Sequence, residues 1–240
     1  MSLQSDLKKH QTRVEHLAGG QRKLVEEELA QLRRLASIEI VSGTQGTQLK
    51  QNIRALADQF AERATSNLLS IAEKEQKYTA KILKKHLGVK VEPKDISNTL
   101  LNENMRLQLA SQEKTRKSLS TAYKQFSRRK ADEIVRVIRD GQIQGLDTVD
   151  IMKNVDETIM GRHTAQARVL ANTSTLYTSN VAQRTTIEQT GRKVRFTLGD
   201  SSEHTETCLG LEGKIFDSSD APTPPLHWGC NSFLVPIDED

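Results

Sequence analysis

The stretch LKQNIRALADQFAERATSNLLSIAEKEQKYTAKIL, residues 49–83, decides the fold class. Leu49, Ile53, Leu56, Phe60, Ala64, Leu68 and Ile71 recur at three- and four-residue spacing, and the pattern continues through Tyr78 and Ile82. This is the period of an α-helix with one apolar stripe. No proline interrupts it, since the first in the chain is Pro93. Gly88 and Pro93, in HLGVKVEPKD, end the pattern and predict a helix over about 47–87.

The same period extends outward. Leu3, Leu7, Val14 and Leu17, then Val25, Leu29, Leu32 and Ala36, predict helix over about 3–40, with Gly19 and Gly20 as a stop or hinge. A further helix is predicted over about 95–140. Its middle, ASQEKTRKS, is polar enough to be exposed or broken, and Gly141 is its expected C-cap. TVDIMKNVDETIM reads as a short helix capped by Asp147 or Thr148. HTAQARVLANTSTLYTSNVAQRTTIEQTG reads as one helix stopped by Gly191, with small residues that allow close packing. Beyond it the period changes, and KVRFTL, GKIFD and NSFLVPI read as short strands. The expected fold is therefore α+β and mostly α, with an extended helical region at 1–145 and a compact C-terminal module at 146–240. Such narrow stripes pack helix on helix, within one chain or between copies, so self-association in multiple copies is expected.

Only 35% of the 240 residues are hydrophobic and 4% aromatic, against 28% charged, which suits long helices better than one large core. No run approaches the roughly 20 apolar residues of a membrane span. The first residues, MSLQSDLKKHQTRVEHL, have no apolar core of a secretory signal. The expectation is no membrane contact and assembly in the cytoplasm. Charge is uneven. From Gly199 onward nine acids face one base, giving −8 there and +12 for the rest of the chain. A basic body with an acidic end points to a polyanion or an acidic protein surface as partner.

Two cysteines cannot make a disulfide framework, yet both lie in a dense constellation. GDSSEHTETCLGLEGKIFD carries His204 and Cys208, and PPLHWGCNSF carries His227 and Cys230. His204, Cys208, His227 and Cys230 have the two-plus-two spacing of a small structural zinc site, and soft ligands favour zinc over magnesium. Buried free thiols and a disulfide are the competing readings of Cys208 and Cys230. A unit of some 40 residues with three short strands has little core of its own, so one structural zinc per chain would stabilise it. Gly213 suits a tight turn, Asp200 could bond loop amides, and Trp228 is an anchor for the core or a partner.

These residues carry a resemblance. A strand ending at Asp200, then Cys208, then Leu211-Glu212-Gly213-Lys214, a variable loop, Pro224-Pro225-x-His227-x-x-Cys230 and a last apolar strand is similar to the phage Mu F-like minor head protein family, also called phage head morphogenesis proteins. Upstream, Thr173, Ser179, Asn180 and Ala182 sit near the positions of that family's helix pattern. The resemblance covers roughly residues 150–240. Where the family often shows C-x-x-C-x-x-L-D-G and H-P-x-C-R-C, this chain has Thr205 for the first cysteine, Glu212 for the Asp, Asn231 for the Arg and Ser232 for the last cysteine. The resemblance implies a minor structural protein of a tailed bacteriophage or prophage virion, which docks on portal or inner capsid proteins during head morphogenesis.

One further stretch is a candidate for nucleic acid. KTRKSLSTAYKQFSRRK holds Lys114, Arg116, Lys117, Lys124, Arg128, Arg129 and Lys130, with Tyr123 and Phe126 interleaved. It suits sequence-neutral contact with packaged DNA, or equally a solvated helix face. No Walker loop, GxSxG, HExxH or zinc-deaminase pair occurs, so no enzyme is expected. The alternatives are a zinc-stabilised DNA-binding module and a metal-dependent nuclease.

Overall fold

A computed structural model describes residues 3–43, 46–102, 105–108, 114–159, 164–199, 204–227 and 230–237. Helices dominate, and a small antiparallel sheet follows them, as the periodicity predicts. Helices α1 (Leu3–Val41) and α2 (Gly46–Leu87) are followed by a short α3 (Ser97–Asn102) and a hairpin of β1 (Met105–Gln108) and β2 (Lys114–Lys117). Then come α4 (Leu119–Ile143), α5 (Thr148–Thr158) and α6 (Thr164–Glu188). Strand β3 (Lys193–Thr197), the single turn α7 (Glu206–Leu209), β4 (Ile215–Asp217) and β5 (Phe233–Pro236) complete the order. Strand β3 is central, antiparallel to both neighbours, with Val194 opposite Phe216 on β4 and Pro236 on β5.

Three expectations are corrected. Helix α1 runs unbroken through Gly19 and Gly20. Tertiary anchoring overrides propensity there. Gln21, fully buried, donates to the Ala64 carbonyl and the Tyr123 hydroxyl, and Val14, Ala18 and Val25 are buried around it. The helix predicted over 95–140 is instead the short α3, the β1–β2 hairpin and α4, because its polar middle has no stripe to bury. Ser118 gives α4 a fresh start, its side chain accepting from the Thr121 amide at 3.2 Å. Gly141 is not a C-cap. Helix α4 continues to Ile143, and Gly145, at φ +70°, makes the turn.

Two helical glycines carry substitutions of opposite sign. A Cβ on Gly141 would lie 2.7 Å from Ile151 Cγ1, so Gly141→Ala is expected to cost about 1–3 kcal/mol by overpacking the α4–α5 contact. Nothing lies within 4 Å of a Cβ on Gly20, so Gly20→Ala is expected to stabilise by about 0.5–1 kcal/mol through helix propensity. Urea unfolding of the two variants checks both signs, and equal shifts would refute the contrast.

One core unites α1, α2, α4, α5 and α6. Its buried members run from Val25, Leu32 and Ile53 through Phe60, Tyr123 and Ile134 to Ile151, Leu170 and Val181. Helices α5 and α6, beyond residue 145, therefore complete the helical body, and the stripe residues from Val25 to Ile71 pack inside one chain. Salt bridges Arg54–Asp132 and Arg128–Asp58 link α2 and α4, which run antiparallel. A second core joins Leu83 and Val91 to Ile187, Val194, Phe196, Cys208, Ala221, Leu226, Cys230 and Leu234.

Helix α6 is buried on nearly every side, with Thr173, Ser174, Thr178, Ser179 and Asn180 all inside. Small hydroxyl residues let neighbouring helices come close. Some of their polar atoms are answered within the core, whereas Thr175 Oγ1, Thr178 Oγ1 and the Gln183 side-chain amide have no hydrogen-bond partner among the described residues. A hydrogen-bond chain runs from Gln21 to Tyr123 (2.8 Å), Tyr123 to Ser174 (2.7 Å), and Ser174 to the Ala171 carbonyl (3.1 Å).

Glu28 is less well compensated. It is 1% exposed, and Arg63 reaches it at 3.3 Å from a half-exposed position. Burial pushes its carboxyl from the ordinary 4.5 up to about 7, with Arg63 pulling the other way. The folded state thus holds this proton more tightly than the unfolded chain. Stability from this group is complete below about pH 4.5, falls as pH rises to about 7, and is flat above. Glu28→Gln is expected to stabilise by up to about 3 kcal/mol at pH 8 and by little at pH 4.5. Chemical unfolding at the two pH values reads this directly, and a pH-independent difference would refute it.

Candidate metal centre

The centre is built on three local devices. First, Thr205 caps α7, its hydroxyl accepting from the Cys208 amide at 3.5 Å, with Glu206 in the first turn. That single turn carries Cys208 inward to full burial, while Leu209 beside it is exposed. Second, the Leu211–Lys214 turn is clamped to β3. The Glu212 carboxylate accepts from the Leu198 amide at 2.7 Å, Gly213 N–H donates to Phe196 O at 3.0 Å, and Phe196 N–H donates to Lys214 O at 2.9 Å. Gly213 has φ +74°, which favours glycine. Leu211 packs on the second core, and the Lys214 side chain is exposed. Third, Pro224 and Pro225, buried and joined by a cis peptide, lead into a turn in which Cys230 N–H donates to His227 O at 3.1 Å. Ser232 holds this turn from both sides. Its hydroxyl accepts from Cys230 Sγ at 3.4 Å, and its carbonyl accepts from Asn180 on α6 at 3.4 Å.

These devices bring Cys208, His227 and Cys230 together, all ligand atoms within 4.8 Å of one another. The group could hold a metal ion. Both cysteines are free thiols, with Sγ atoms 3.7 Å apart. A disulfide needs about 2.05 Å. Two thiolates on one tetrahedral zinc, each about 2.3 Å from the metal, stand about 3.8 Å apart. The observed spacing fits the zinc edge and two touching thiols. Burial pushes the Cys208 thiol up, and the neighbouring Cys230 adds to this, so Cys208 stays a neutral thiol unless a cation draws its proton off. His204 is half-buried and stands outside the three-residue group. Asp200 and Trp228 lie outside the described residues.

No family model, no curated protein and no solved structure matches this chain.

A second polar group was not foreseen from sequence. His10 and Arg13 on α1, Glu75 and Tyr78 on α2, and Ser179 on α6 form one knot. Ser179 Oγ lies 3.3 Å from His10 Nε2 and donates to Glu75 Oε2 at 3.1 Å, and His10 Nδ1 is 3.2 Å from the same oxygen. Arg13 Nε reaches Glu75 Oε1 at 3.1 Å, and its guanidinium lies 4.2 Å from the Tyr78 ring centroid. The residue types are those of an activated serine, but the setting is structural. Ser179, His10 and Glu75 are 1%, 4% and 0% exposed, and burial lowers His10 to about 4, far from a base poised near neutrality. The available signal was polar residues at core positions of otherwise apolar helical stripes.

Lys114, Arg116 and Lys117 belong to β2, and the α4 part of the basic stretch does not form one surface. On α4, Tyr123 is core, Lys130 is buried against Glu133, Arg128 is paired with Asp58, and Arg129 turns to the Gln125 carbonyl. Of the four cations that the basic stretch places on α4, only Lys124 and Arg129 are exposed without a carboxylate partner among the described residues. The helical period divides this segment between core and solvent.

Proposed function

We propose that this chain is a minor structural protein of a tailed bacteriophage or prophage virion, acting in head morphogenesis by docking on the portal or inner capsid. The observation that carries the reading is the convergence of residues far apart in sequence. Cys208, the Leu211–Lys214 turn and the Pro224–Cys230 loop form one unit around β3, and these are the residues that carry the resemblance to head morphogenesis proteins. The unit binds rather than reacts. One zinc per chain, held by Cys208, His227 and Cys230, would act as a structural cross-link between α7 and the last loop. His204 is then the candidate fourth ligand that the sequence offers.

The test is co-expression with a portal protein and a major capsid protein of a tailed phage from the same genome. Co-sedimentation with assembled heads or with the portal ring supports the reading. A chain that stays in the supernatant in both cases refutes it. The nuclease alternative makes a separate demand, namely metal-dependent DNA cleavage lost in His227→Ala. The structural reading expects no cleavage from either protein.

A further inference from the structure

The last three turns of α2 carry a feature that neither core uses. Lys74, Lys77, Lys81, Lys84 and Lys85 are all exposed. At about 100° per residue these five fall within an arc of about 100°, opposite the buried Ile71, Glu75, Thr79, Ile82 and Leu83. The stripe is about 16 Å long at 1.5 Å per residue. Neutralisation is sparse. Glu73 pairs with Lys77 and is also pulled down by Lys74, and Asp6 pairs with Lys85. Among the described residues, Lys81 and Lys84 have no ion-pair partner. Lys77 with Lys81, and Lys81 with Lys85, stand at i,i+4, where like charges cost about 0.2–0.5 kcal/mol a pair. Dipole compensation at the helix end explains Lys84 and Lys85, which lie in the last turn, but not Lys74, Lys77 and Lys81.

We propose that this lysine face of α2 binds the phosphate backbone of duplex DNA without regard to sequence. The make-up of the face selects this partner over others. Lysine is a compact point charge on a flexible stem, suited to a diffuse polyanion and poor at bidentate carboxylate recognition. Lysine is also depleted in protein–protein interface cores. Single strands need aromatic platforms, and the one aromatic of this segment, Tyr78, is already stacked on His10 and covered by Arg13. A membrane surface would need an exposed apolar flank, whereas the apolar side of α2 is spent in the two cores. The site lies on α2 and shares no residue with the 114–130 stretch. It extends the proposed function to packaged DNA but does not depend on portal docking, since duplex binding is measured without portal or capsid.

The experiment is anisotropy titration of the full chain against a mixed-sequence duplex of about thirty base pairs, from 50 to 200 mM salt. With about four phosphates neutralised, affinity should fall roughly a hundredfold across that range. Lys74→Gln/Lys81→Gln/Lys84→Gln should flatten the log–log slope by about 3 and keep helicity, with melting shifted by no more than a few degrees, because all three side chains are on the surface. Lys124→Gln/Arg129→Gln, on α4, should leave the slope as it is. The proposal is overturned if wild type binds no duplex at 50 mM salt, or if the triple variant keeps its slope. It is equally overturned if polyglutamate of equal charge displaces the duplex at equal concentration, which would assign the face to an acidic protein surface.

Discussion

If the proposed zinc is bound, Cys208→Ser protein is expected to emerge from purification without the one zinc per chain expected of the wild type, and to be about 4 kcal/mol less stable. The size follows from linkage, since a ligand at a thousandfold excess over its Kd stabilises the folded state by about 4 kcal/mol. The substitution acts on a fully buried thiol that stands 3.7 Å from its partner Cys230. Serine supplies a hard, protonated oxygen in its place, and two remaining ligands do not hold zinc. The metal's share is separable from the side chain's own packing. A chelator should lower the melting temperature of wild type and leave that of Cys208→Ser unchanged. Elemental mass spectrometry with thermal unfolding reads both effects. Wild type purified under reducing conditions with no metal, and indifferent to chelator, would overturn the metal reading and leave Cys208 and Cys230 as packed thiols.

The second large effect belongs to the helical body. Tyr123→Ala is expected to cost about 3–5 kcal/mol, and Tyr123→Phe about 1–3 kcal/mol. Tyr123 is fully buried, edge-on to Phe60 with ring centroids 5.9 Å apart, and it links α1 to α6 through Gln21 and Ser174. Burial holds its phenol up at about 12, so it remains a neutral donor throughout the working pH range. Alanine leaves a cavity and breaks the chain of hydrogen bonds. Phenylalanine keeps the ring but takes the acceptor from Gln21 and the donor from Ser174, both of them buried. Urea unfolding at pH 7 measures the two costs. A phenylalanine variant as stable as wild type would sink the claim that the hydroxyl ties the helices together.

The sequence shows some of this plainly and hides the rest for identifiable reasons. Helix α2 is legible because its stripe is long and proline-free, and α5 is legible because Asp147 caps it at the Asp150 amide. The three strands are legible from the change of period after Gly191. What misleads is local chemistry overruled by distant contacts. Gly19 and Gly20 look like a hinge until Gln21 is seen anchored to α2 and α4. Gly141 looks like a cap until Ile151 is found against it. The division at residue 145 is invisible to packing, because α6 carries its polar residues into the same core as α1 and α2. At the metal centre, the scarcity of cysteine singles out Cys208, His227 and Cys230. Spacing alone cannot separate them from His204, since convergence depends on the Thr205 cap and the Glu212 clamp. Thr205 stands where the related pattern has a cysteine, and here it serves as a cap.

Helix α2 supplies Leu49, Ile53 and Phe60 to one core and Leu83 to the other without a break in its backbone ladder. A shared beam of this kind makes the two cores a single cooperative foldon, because neither can open without freeing part of the helix that the other rests on. Amide exchange along the middle of α2 should therefore proceed through global unfolding alone. Loosening the C-terminal sheet should raise exchange in the bundle as well, so a partner that grips the small sheet would be felt along the whole length of the helix.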